Sequence, residues 1–439
     1  MKEKKKKLGF KLLLLSLLLL PGLQVLFVIG CNSRYLIRLP FFIIIIVLIL
    51  ILLITLILGI GLFVKFRNAS KRRLKKWLRV VLYIFFTCYI AGCIAFTTLL
   101  YGPNEKFKTW LITTAMQTMN HQYLCKWFYS DAQIKEIQGK NYVKESGEST
   151  NEDLIDQSKD KPKKYIDEYD KEILDVSEDT QYKIIQFEVD GQRAFLAAIY
   201  DPSMIKLEIT NQLGRLGDYV TNMAARNNAI LAINGGGFLD GPTSAGEYPT
   251  GITIVDGKIL TNNEYGAATD TGGIIGFNKN NVLVLLKNTT AEEAVAQGVR
   301  DAVSWGPFLV VNGVGSEVSG NGGWGFGART AIGQRKDGIV LFLVVESNAS
   351  RTRGADMADL RDIMLRYHAV NAANLDGGTS TVMAVPRQVA INEYGADCHD
   401  YFSSYACAIN DPINAIGQHM TRYISDAWVV LDKNLQNKK

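Results

Sequence analysis

Two long runs without a charged residue, 41–64 and 80–101, constrain what the first hundred positions of this 439-residue chain can fold into. Residues 41–64 read FFIIIIVLILILLITLILGIGLFV. A helix of that length is about 36 Å long at about 1.5 Å per residue, which is enough to cross a bilayer. A third apolar stretch, 8–30, precedes them. The sequence therefore predicts three transmembrane helices in an anchor that occupies residues 1–101.

A cleavable signal peptide with a basic start is the alternative interpretation of residues 8–30. The stretch is interrupted by Lys11 and by the Pro21-Gly22 pair. Two long spans follow it, and no small-residue cleavage site precedes Cys31. These features favour a helix that is retained.

Basic residues predict the orientation of the anchor. Eight Lys and Arg residues fall between 65 and 79, whereas only Arg34 and Arg38 lie between the first two spans. Because cytoplasmic loops carry the excess of basic residues, three spans place everything after Tyr101 outside the cell. A lipid bilayer also explains the basic clusters better than nucleic acid does, because a nucleic-acid-binding protein needs its basic face on a soluble domain. We therefore expect a multi-pass protein of the cell membrane with an extracellular C-terminal domain.

The composition changes directly after the last predicted span. Residues 131–180 are rich in Lys, Asp and Glu and poor in large apolar residues. Such a segment cannot bury enough apolar surface to offset the entropy of ordering the chain. We therefore expect residues 102–180 to form a membrane-proximal segment followed by a charged stalk.

A globular pattern begins at about residue 181. Short apolar runs separated by Gly, Asn and Asp predict strands joined by turns. Helical spacing of apolar residues predicts helices over about 214–228 and 355–368. The sequence predicts an α+β domain over 181–435, with a mixed β-sheet and few helices.

The cysteines and histidines leave the question of a disulfide open and give no metal motif. Cys398 and Cys407 are close enough to close a small surface loop in an oxidising compartment, and two unpaired thiols fit equally well. No CxxC or HExxH motif occurs, and the four histidines have no metal-ligand spacing. We expect no cofactor, while a divalent cation at Asp or Glu stays open.

Two glycine-rich segments suggest an anion site. The run Asn234-Gly235-Gly236-Gly237-Phe238 follows the apolar run AILAI. Its backbone N–H groups can cradle an anion, although a tight turn is the simpler interpretation. Arg329 begins a predicted strand after a second glycine-rich loop, and its guanidinium suits a bidentate grip on phosphate oxygens. A structural ion pair is the alternative for Arg329.

Two carboxylates stand at the ends of predicted strands. Asp376 precedes Gly377 and Gly378, and Glu346 ends the apolar run IVLFLVVE. Many glycosidases use two carboxylates, one as proton donor and one as base or nucleophile. An ordinary Asp-Gly turn is the alternative for Asp376.

Six segments, in order, resemble the phosphodiester glycosidase family, the family of the N-acetylglucosamine-1-phosphodiester α-N-acetylglucosaminidase domain. They are AILAINGGGF, PTGITIVDGKIL, GIIGFNKNNVLVL, VSWGPFLVVNG, GARTAIGQRKDGIVLFLVV and AANLDGGTST. The resemblance covers roughly residues 190–432 and implies hydrolysis of a sugar joined through its anomeric oxygen to a phosphodiester. It places the family's pocket motifs on Asn234, Gly235, Gly236, Phe238, Arg329, Thr330, Asp376, Gly377 and Gly378. The family often has Asp-Gly where this chain has Glu346-Ser347.

These observations predict a cell-surface hydrolase that cleaves a sugar-1-phosphodiester, with a GlcNAc-like sugar, in an extracellular glycan or wall polymer. Asp376 is expected to act at the anomeric carbon as nucleophile or as base for water, with Glu346 as a second carboxylate. Arg329 and the glycine amides are expected to hold the phosphate. The alternative is a non-catalytic membrane protein that binds glycans or assembles exopolysaccharide.

Overall fold

The computed structural model describes residues 76–118, 121–157, 164–239, 245–263, 272–349, 352–398, 403–413 and 417–436. The chain divides into two compact units, Met1–Gly139 and Lys140–Lys439. The predicted spans 8–30 and 41–64 lie outside the described residues. Within the described residues, no helix has both the length and the apolar character needed to cross a membrane.

The described part of the first unit is helical. Its helices are α1 (Lys76–Tyr101), α2 (Glu105–Met116), α3 (Tyr123–Lys126) and α4 (Asp131–Lys140). Helix α1 contains residues 80–101, the predicted third span, and the structure does not bear out that span. A small apolar core includes the buried residues Leu100, Ile112, Cys125, Tyr129 and Ile134. The Tyr129 hydroxyl donates a hydrogen bond to the Leu100 carbonyl at 3.0 Å, so the segment after residue 101 is folded back on the end of α1.

The second unit is built mainly from strands. They are β1 (Tyr142–Lys144), β2 (Tyr182–Val189), β3 (Gln192–Ile199), β4 (Ile205–Ile209), β5 (Ala229–Asn234), β6 (Phe238–Leu239), β7 (Tyr248–Pro249), β8 (Ile252–Val255), β9 (Lys258–Asn262), β10 (Gly273–Asn278), β11 (Leu283–Leu286), β12 (Val299–Trp305), β13 (Phe308–Val311), β14 (Val314–Gly315), β15 (Glu317–Ser319), β16 (Arg329–Arg335), β17 (Val340–Val345), β18 (Ala369–Asn374), β19 (Met383–Pro386), β20 (Ala406–Ala408) and β21 (Asp426–Leu431). Its helices are α5 (Glu168–Leu174), α6 (Val220–Arg226), α7 (Ala291–Ala296), α8 (Met357–Arg366), α9 (Arg387–Tyr394) and α10 (Lys433–Gln436).

Three larger sheets carry the fold of this unit. Their strand orders are β14-β13-β18-β16-β17-β3-β2, β20-β19-β5-β21-β4 and β11-β10-β12-β8-β9. The pairings between neighbouring strands in these sheets run antiparallel. The predicted sheet-rich α+β domain with few helices is confirmed.

One apolar core joins the three sheets. It contains Phe342 from the seven-stranded sheet, Trp428 from the sheet centred on β5, and Phe277 from β10. The rings of Phe277 and Trp428 meet edge to face, with centroids 5.5 Å apart. Each sheet contributes residues to this shared core. The polar residues at the ends of strands in different sheets are therefore held at fixed positions relative to one another.

Helix α8 covers the other face of the seven-stranded sheet. Its buried residues Met357, Leu360, Ile363 and Met364 have the spacing from which the helix over 355–368 was predicted. Asp356 caps the helix because its side chain accepts hydrogen bonds from the backbone N–H groups of Ala358 and Asp359 in the first turn. The other predicted helix, over 214–228, is shorter than expected and corresponds to α6.

The predicted stalk is wrong for residues 140–157 and 164–180, which fold as part of the second unit. Strand β1 pairs with β15, and the buried Glu145 carboxylate accepts hydrogen bonds from the backbone N–H groups of Gly272 at 2.6 Å and Phe308 at 2.7 Å. Asp170 on α5 lies 2.5 Å from the buried Arg335 guanidinium. The charged side chains of this segment serve as acceptors for buried donors, so composition alone was a poor guide.

The structure joins Cys398 and Cys407 in a disulfide, one of the two possibilities that the sequence left open. The bond links the segment after α9 to β20. It therefore ties the segment after α9 to an edge strand of the five-stranded sheet that contains β5.

Candidate active site

Arg329 and Asp376 are brought together by the register of two neighbouring strands. In the β16–β18 pair, Ala331 lies opposite Asn374. Arg329 and Asp376 each lie two residues beyond that pair, at the same end of the two strands. A Cβ atom added to Gly377 would lie 3.4 Å from Arg329 Nη1. The guanidinium therefore packs against the turn that carries Asp376.

Asn234 ties this pair of strands to the sheet that contains β5. Its Nδ2 donates to the Asp376 carbonyl at 2.7 Å, and its Oδ1 accepts from the Thr330 hydroxyl at 2.7 Å and the Val382 N–H at 3.2 Å. Asn234 and Thr330 are both almost fully buried. Their polar atoms are engaged between strands, so the two residues hold the backbone of Asp376 in place.

The glycine turn after β5 wraps around a buried carboxylate, Asp426. The Gly235 N–H donates to the Asp426 carbonyl at 3.1 Å, and the Gly236 N–H donates to Asp426 Oδ1 at 2.7 Å. A Cβ atom at Gly235 would lie 2.0 Å from that same oxygen. These two amides were predicted to cradle a phosphate, and that prediction is wrong because both already bind Asp426.

Asp426 is the main residue that the sequence interpretation missed. Burial raises the pKa of its carboxyl from 3.8 to about 6, and the negative charge of Asp376 contributes to the rise. Hydrogen bonds from the Ser425 hydroxyl, at 2.5 Å, and from the Gly236 N–H oppose it. The signal in the sequence was a carboxylate at the start of the fully apolar run AWVVL, a position that is costly without partners.

Arg329 is held by the loop that precedes it. Its Nη2 donates to the carbonyls of Trp324 at 2.6 Å and Gly325 at 2.7 Å, and its Nε donates to the Ala355 carbonyl at 3.3 Å. A bidentate grip on phosphate through Nε and Nη2 would have to displace these carbonyls. What the geometry supplies beside Asp376 is a fixed positive charge.

Glu346, the second predicted carboxylate, is engaged elsewhere. Its two oxygens accept from Arg193 at 3.0 Å and 2.7 Å, and Oε1 also accepts from the Asp411 N–H at 2.6 Å. An ion pair of this form anchors a strand end. The expected pairing of Glu346 with Asp376 is therefore replaced by the pairing of Asp376 with Asp426.

Aromatic and small residues complete the surroundings. Phe238 is buried, with the Arg422 guanidinium 4.6 Å from its ring centroid, and Gly378 donates its N–H to the Ala328 carbonyl at 2.8 Å. The half-buried rings of Trp305 and Trp324 meet edge to face at 5.9 Å. A Cβ atom at Gly237 would overlap the Trp305 ring at 1.8 Å, so glycine is required there.

Within the part of the chain that the structure describes, no group of three or more His, Cys, Asp or Glu residues is placed to hold a metal ion.

The second unit is thus a sheet-rich domain in which two interacting carboxylates, Asp376 and Asp426, lie near the fixed guanidinium of Arg329. Residues 227–431 match the family model described as phosphodiester glycosidase. The resemblance predicted from the sequence is thereby confirmed for this segment, which contains all the site residues named above.

Sequence identity to an individual relative is low. The SPbeta prophage-derived uncharacterised protein YomE of Bacillus subtilis strain 168 is 26% identical over 189 residues, which cover 42% of this chain and 28% of that protein. The chain thus matches less than a third of the length of this relative.

Part of the chain also aligns with solved structures. The catalytic domain of zebrafish N-acetylglucosamine-1-phosphodiester α-N-acetylglucosaminidase, auto-inhibited by its pro-peptide, has a TM-score of 0.43 and 18% identity, covering 59% of this chain and 86% of that one. A putative exported protein of Burkholderia pseudomallei K96243 has a TM-score of 0.35 and 19% identity, covering 55% and 74%.

Proposed function

We propose that the second unit is a glycosidase that hydrolyses the bond between the anomeric carbon of a GlcNAc-like sugar and a phosphodiester in an extracellular glycan or wall polymer. The observation that carries the proposal is the packing of the Arg329 guanidinium against the turn that carries Asp376, whose charge acts on the buried Asp426. The family match over 227–431 supports the reaction class.

The proposed reaction uses Asp376 at the anomeric carbon. A water molecule adds to that carbon, its proton passes to the Asp376 carboxylate, and the bond from carbon to the phosphate oxygen breaks with its electron pair on the oxygen. The departing phosphomonoester is a good leaving group, and the fixed positive charge of Arg329 stabilises it. The alternative role for Asp376, as nucleophile, predicts retention of the anomeric configuration, whereas direct attack by water predicts inversion.

Asp426 and the tryptophans have supporting roles in this proposal. Asp426 fixes the glycine turn and, through its charge, sets the electrostatic environment of Asp376. Trp305 and Trp324 provide apolar ring surface beside the turn, and such surface suits the C–H face of a sugar.

We also propose that the chain is a multi-pass membrane protein with this unit outside the cell. The support for membrane attachment is the sequence pattern: the apolar runs 8–30 and 41–64 and the basic loop at 65–79. The disulfide between Cys398 and Cys407 agrees with an oxidising compartment. Protease protection of tagged termini in intact cells tests this orientation.

The activity is tested by sugar release from a synthetic α-GlcNAc-1-phosphate methyl diester by the full chain in detergent. Asp376→Asn is expected to lower kcat about a thousandfold, because it removes the group that accepts the proton or attacks the carbon. The matched control is Asp190→Asn, at an exposed turn with a left-handed backbone that Asn tolerates. NMR of the released anomer decides between the two roles of Asp376.

Two outcomes would argue against parts of this proposal. Tight binding of the diester without release would favour the glycan-binding protein instead. Full activity in the Asp376→Asn variant, with a normal melting temperature, would remove the proposed role of Asp376.

A further inference from the structure

A cavity of about 770 Å³ has no role in the reaction described above. Polar residues on its wall are Arg193, Tyr219, Asp411 and His419, and Asp397 also lines it. Its volume lies within the range of about 300–1,000 Å³ that is typical of sites for small ligands. The cavity is therefore large enough for more than one sugar unit.

The wall of the cavity is fixed by covalent and charged contacts. The disulfide joins Cys398, next to Asp397, to Cys407, at the edge of the segment that lines the cavity. The Asp411 N–H donates to Glu346 at 2.6 Å, and Glu346 is itself held by Arg193. A site whose wall is already ordered loses less conformational entropy when a ligand binds.

Arg193, Asp411 and His419 on the cavity wall each have a partner of complementary character. Arg193 is bound to Glu346 at 2.7 Å, and His419 Nδ1 lies 2.6 Å from Asp411 Oδ2. Asp397 adds a further carboxylate, so the cavity offers an anion no net attraction. Paired carboxylate, imidazole and guanidinium groups instead supply fixed acceptors and donors for hydroxyl groups.

Apolar residues complete the lining. Ile409, Pro412 and the partly exposed Met420 lie on the same wall as these polar groups. A surface that alternates hydroxyl-binding groups with apolar patches matches a neutral sugar, which has hydroxyl edges and C–H faces.

Two connections link the cavity to the candidate active site. Asn410 lines the cavity, and its Nδ2 donates to the Thr381 carbonyl at 2.9 Å, shortly after the turn that begins at Asp376. Tyr219, also on the wall, packs against Tyr423 with ring centroids 4.4 Å apart. The neighbouring Arg422 covers Phe238, which directly follows the glycine turn.

We propose that this cavity binds neutral sugar units of the substrate that lie beyond the sugar phosphate cleaved at Asp376. This proposal rests on the function proposed above, and it makes the substrate a polymer rather than a small diester. Asp411 and His419 bind sugar hydroxyl groups at the mouth of the cavity, and the disulfide keeps its wall in place.

The test measures binding without turnover. Full-length Asp376→Asn protein in detergent is titrated by calorimetry with phosphate-free chitotetraose, cellotetraose and mannotetraose. At least one tetrasaccharide is expected to bind. Adding Asp411→Ala or His419→Ala is expected to weaken the affinity for that tetrasaccharide about tenfold. This is the effect of losing one hydrogen bond to a charged group. Adding Gln388→Ala, on the exposed face of α9, is the matched control and leaves the affinity unchanged.

The outcomes separate the two proposals. Absence of binding by all three tetrasaccharides at millimolar concentration overturns the cavity proposal, as does binding that survives both cavity substitutions. His419→Gln serves as a second variant if His419→Ala lowers the melting temperature. Failure of the wild-type chain to release sugar from the methyl diester contradicts only the proposed glycosidase activity, since these titrations require no turnover.

Discussion

Asp426 is the residue at the candidate site whose ionisation is coupled most clearly to the fold. The pKa of its carboxyl is about 6 in the folded chain, above the ordinary value of 3.8. The folded state therefore binds this proton more tightly than the unfolded state does. The contribution of Asp426 to stability is fully present below about pH 4 and is lost as the pH rises through about 6.

The Asp426→Asn variant is expected to remove this pH dependence. Asn can still accept from the Gly236 N–H and can donate to the Ser425 oxygen, so the turn keeps its hydrogen bonds. Above pH 7 the variant is expected to be more stable than the wild type, by at most about 3 kcal/mol for a shift of two pKa units. Urea unfolding at several pH values between 4 and 8 measures the difference. If the free energy of unfolding of the wild type instead rises as the pH increases through 6, the raised pKa assigned to Asp426 is contradicted.

The sequence predicted some of the site residues for physical reasons that the structure retains. Arg329 and Asp376 were identified because each stands at a strand end beside glycine, and the structure packs the Arg329 guanidinium against the turn that carries Asp376. The role of the Gly235 and Gly236 amides was misjudged, because the partner of a backbone N–H depends on which strand end lies beside it. Asp426 was missed because it is nearly 200 positions further along the chain.

Strand β1 and the residues that follow it show how a charged segment can be part of a folded unit. Glu145 is buried and accepts two backbone N–H groups, and its other oxygen lies 2.7 Å from Lys287. Glu152 likewise accepts from the Asn278 amide at 2.6 Å. Local composition predicts whether a segment can form its own core, and it says nothing about acceptors supplied to another segment.

Substitution of Glu145 tests this element. Glu145→Ala leaves two buried N–H groups, those of Gly272 and Phe308, without their acceptor, together with the Lys287 ammonium. The free energy of unfolding is expected to fall by about 3 kcal/mol or more. The matched control is Glu317→Ala, which breaks an exposed ion pair with Lys144 and is expected to cost less than about 1 kcal/mol. Equal effects of the two substitutions in denaturant unfolding would show that Glu145 is not an anchor.

Local patterns predicted elements better than they predicted their assembly. The amphipathic helix α8 was expected from its sequence, and the turn between β16 and β17 has the Asp-Gly pair that is typical of hairpins. The strand order was not predictable, because β18 inserts between β13 and β16 and β21 between β5 and β4. Which strands become neighbours depends on packing across the shared core. That packing involves residues far apart in the chain, so it cannot be predicted from a short stretch of sequence.

At the scale of the whole molecule, the second unit begins about forty residues earlier than its apolar pattern suggests. The sequence placed the domain boundary at residue 181, and the structure places it between Gly139 and Lys140. The difference matters energetically because residues 140–180 contribute the buried Val143 and Ile173 to the core under α8. They also contribute Asp170, an ion-pair partner of the buried Arg335.

Truncation therefore distinguishes the two boundaries. A fragment of residues 181–439 lacks Asp170 and Glu145, leaving buried cationic and N–H groups with fewer partners, and it exposes apolar surface that Val143 and Ile173 cover. Removing one partner of a buried ion pair alone costs about 3–5 kcal/mol, against a total stability of about 5–15 kcal/mol for an ordinary domain. The fragment is expected to be largely unfolded at 37 °C, whereas residues 140–439 are expected to unfold cooperatively at a higher temperature.

A third fragment separates the contributions. Residues 164–439 keep α5 with Asp170 and Ile173 but lose β1 and Glu145, so their melting temperature is expected to lie between those of the other two. Thermal unfolding followed by circular dichroism measures all three. If 181–439 melts at the same temperature as 140–439, the acceptors supplied by residues 140–180 do not stabilise the unit, and this segment acts as the tether that its composition suggested. If the three midpoints fall in the expected order, assays of the proposed hydrolase need residues 140–180 in place.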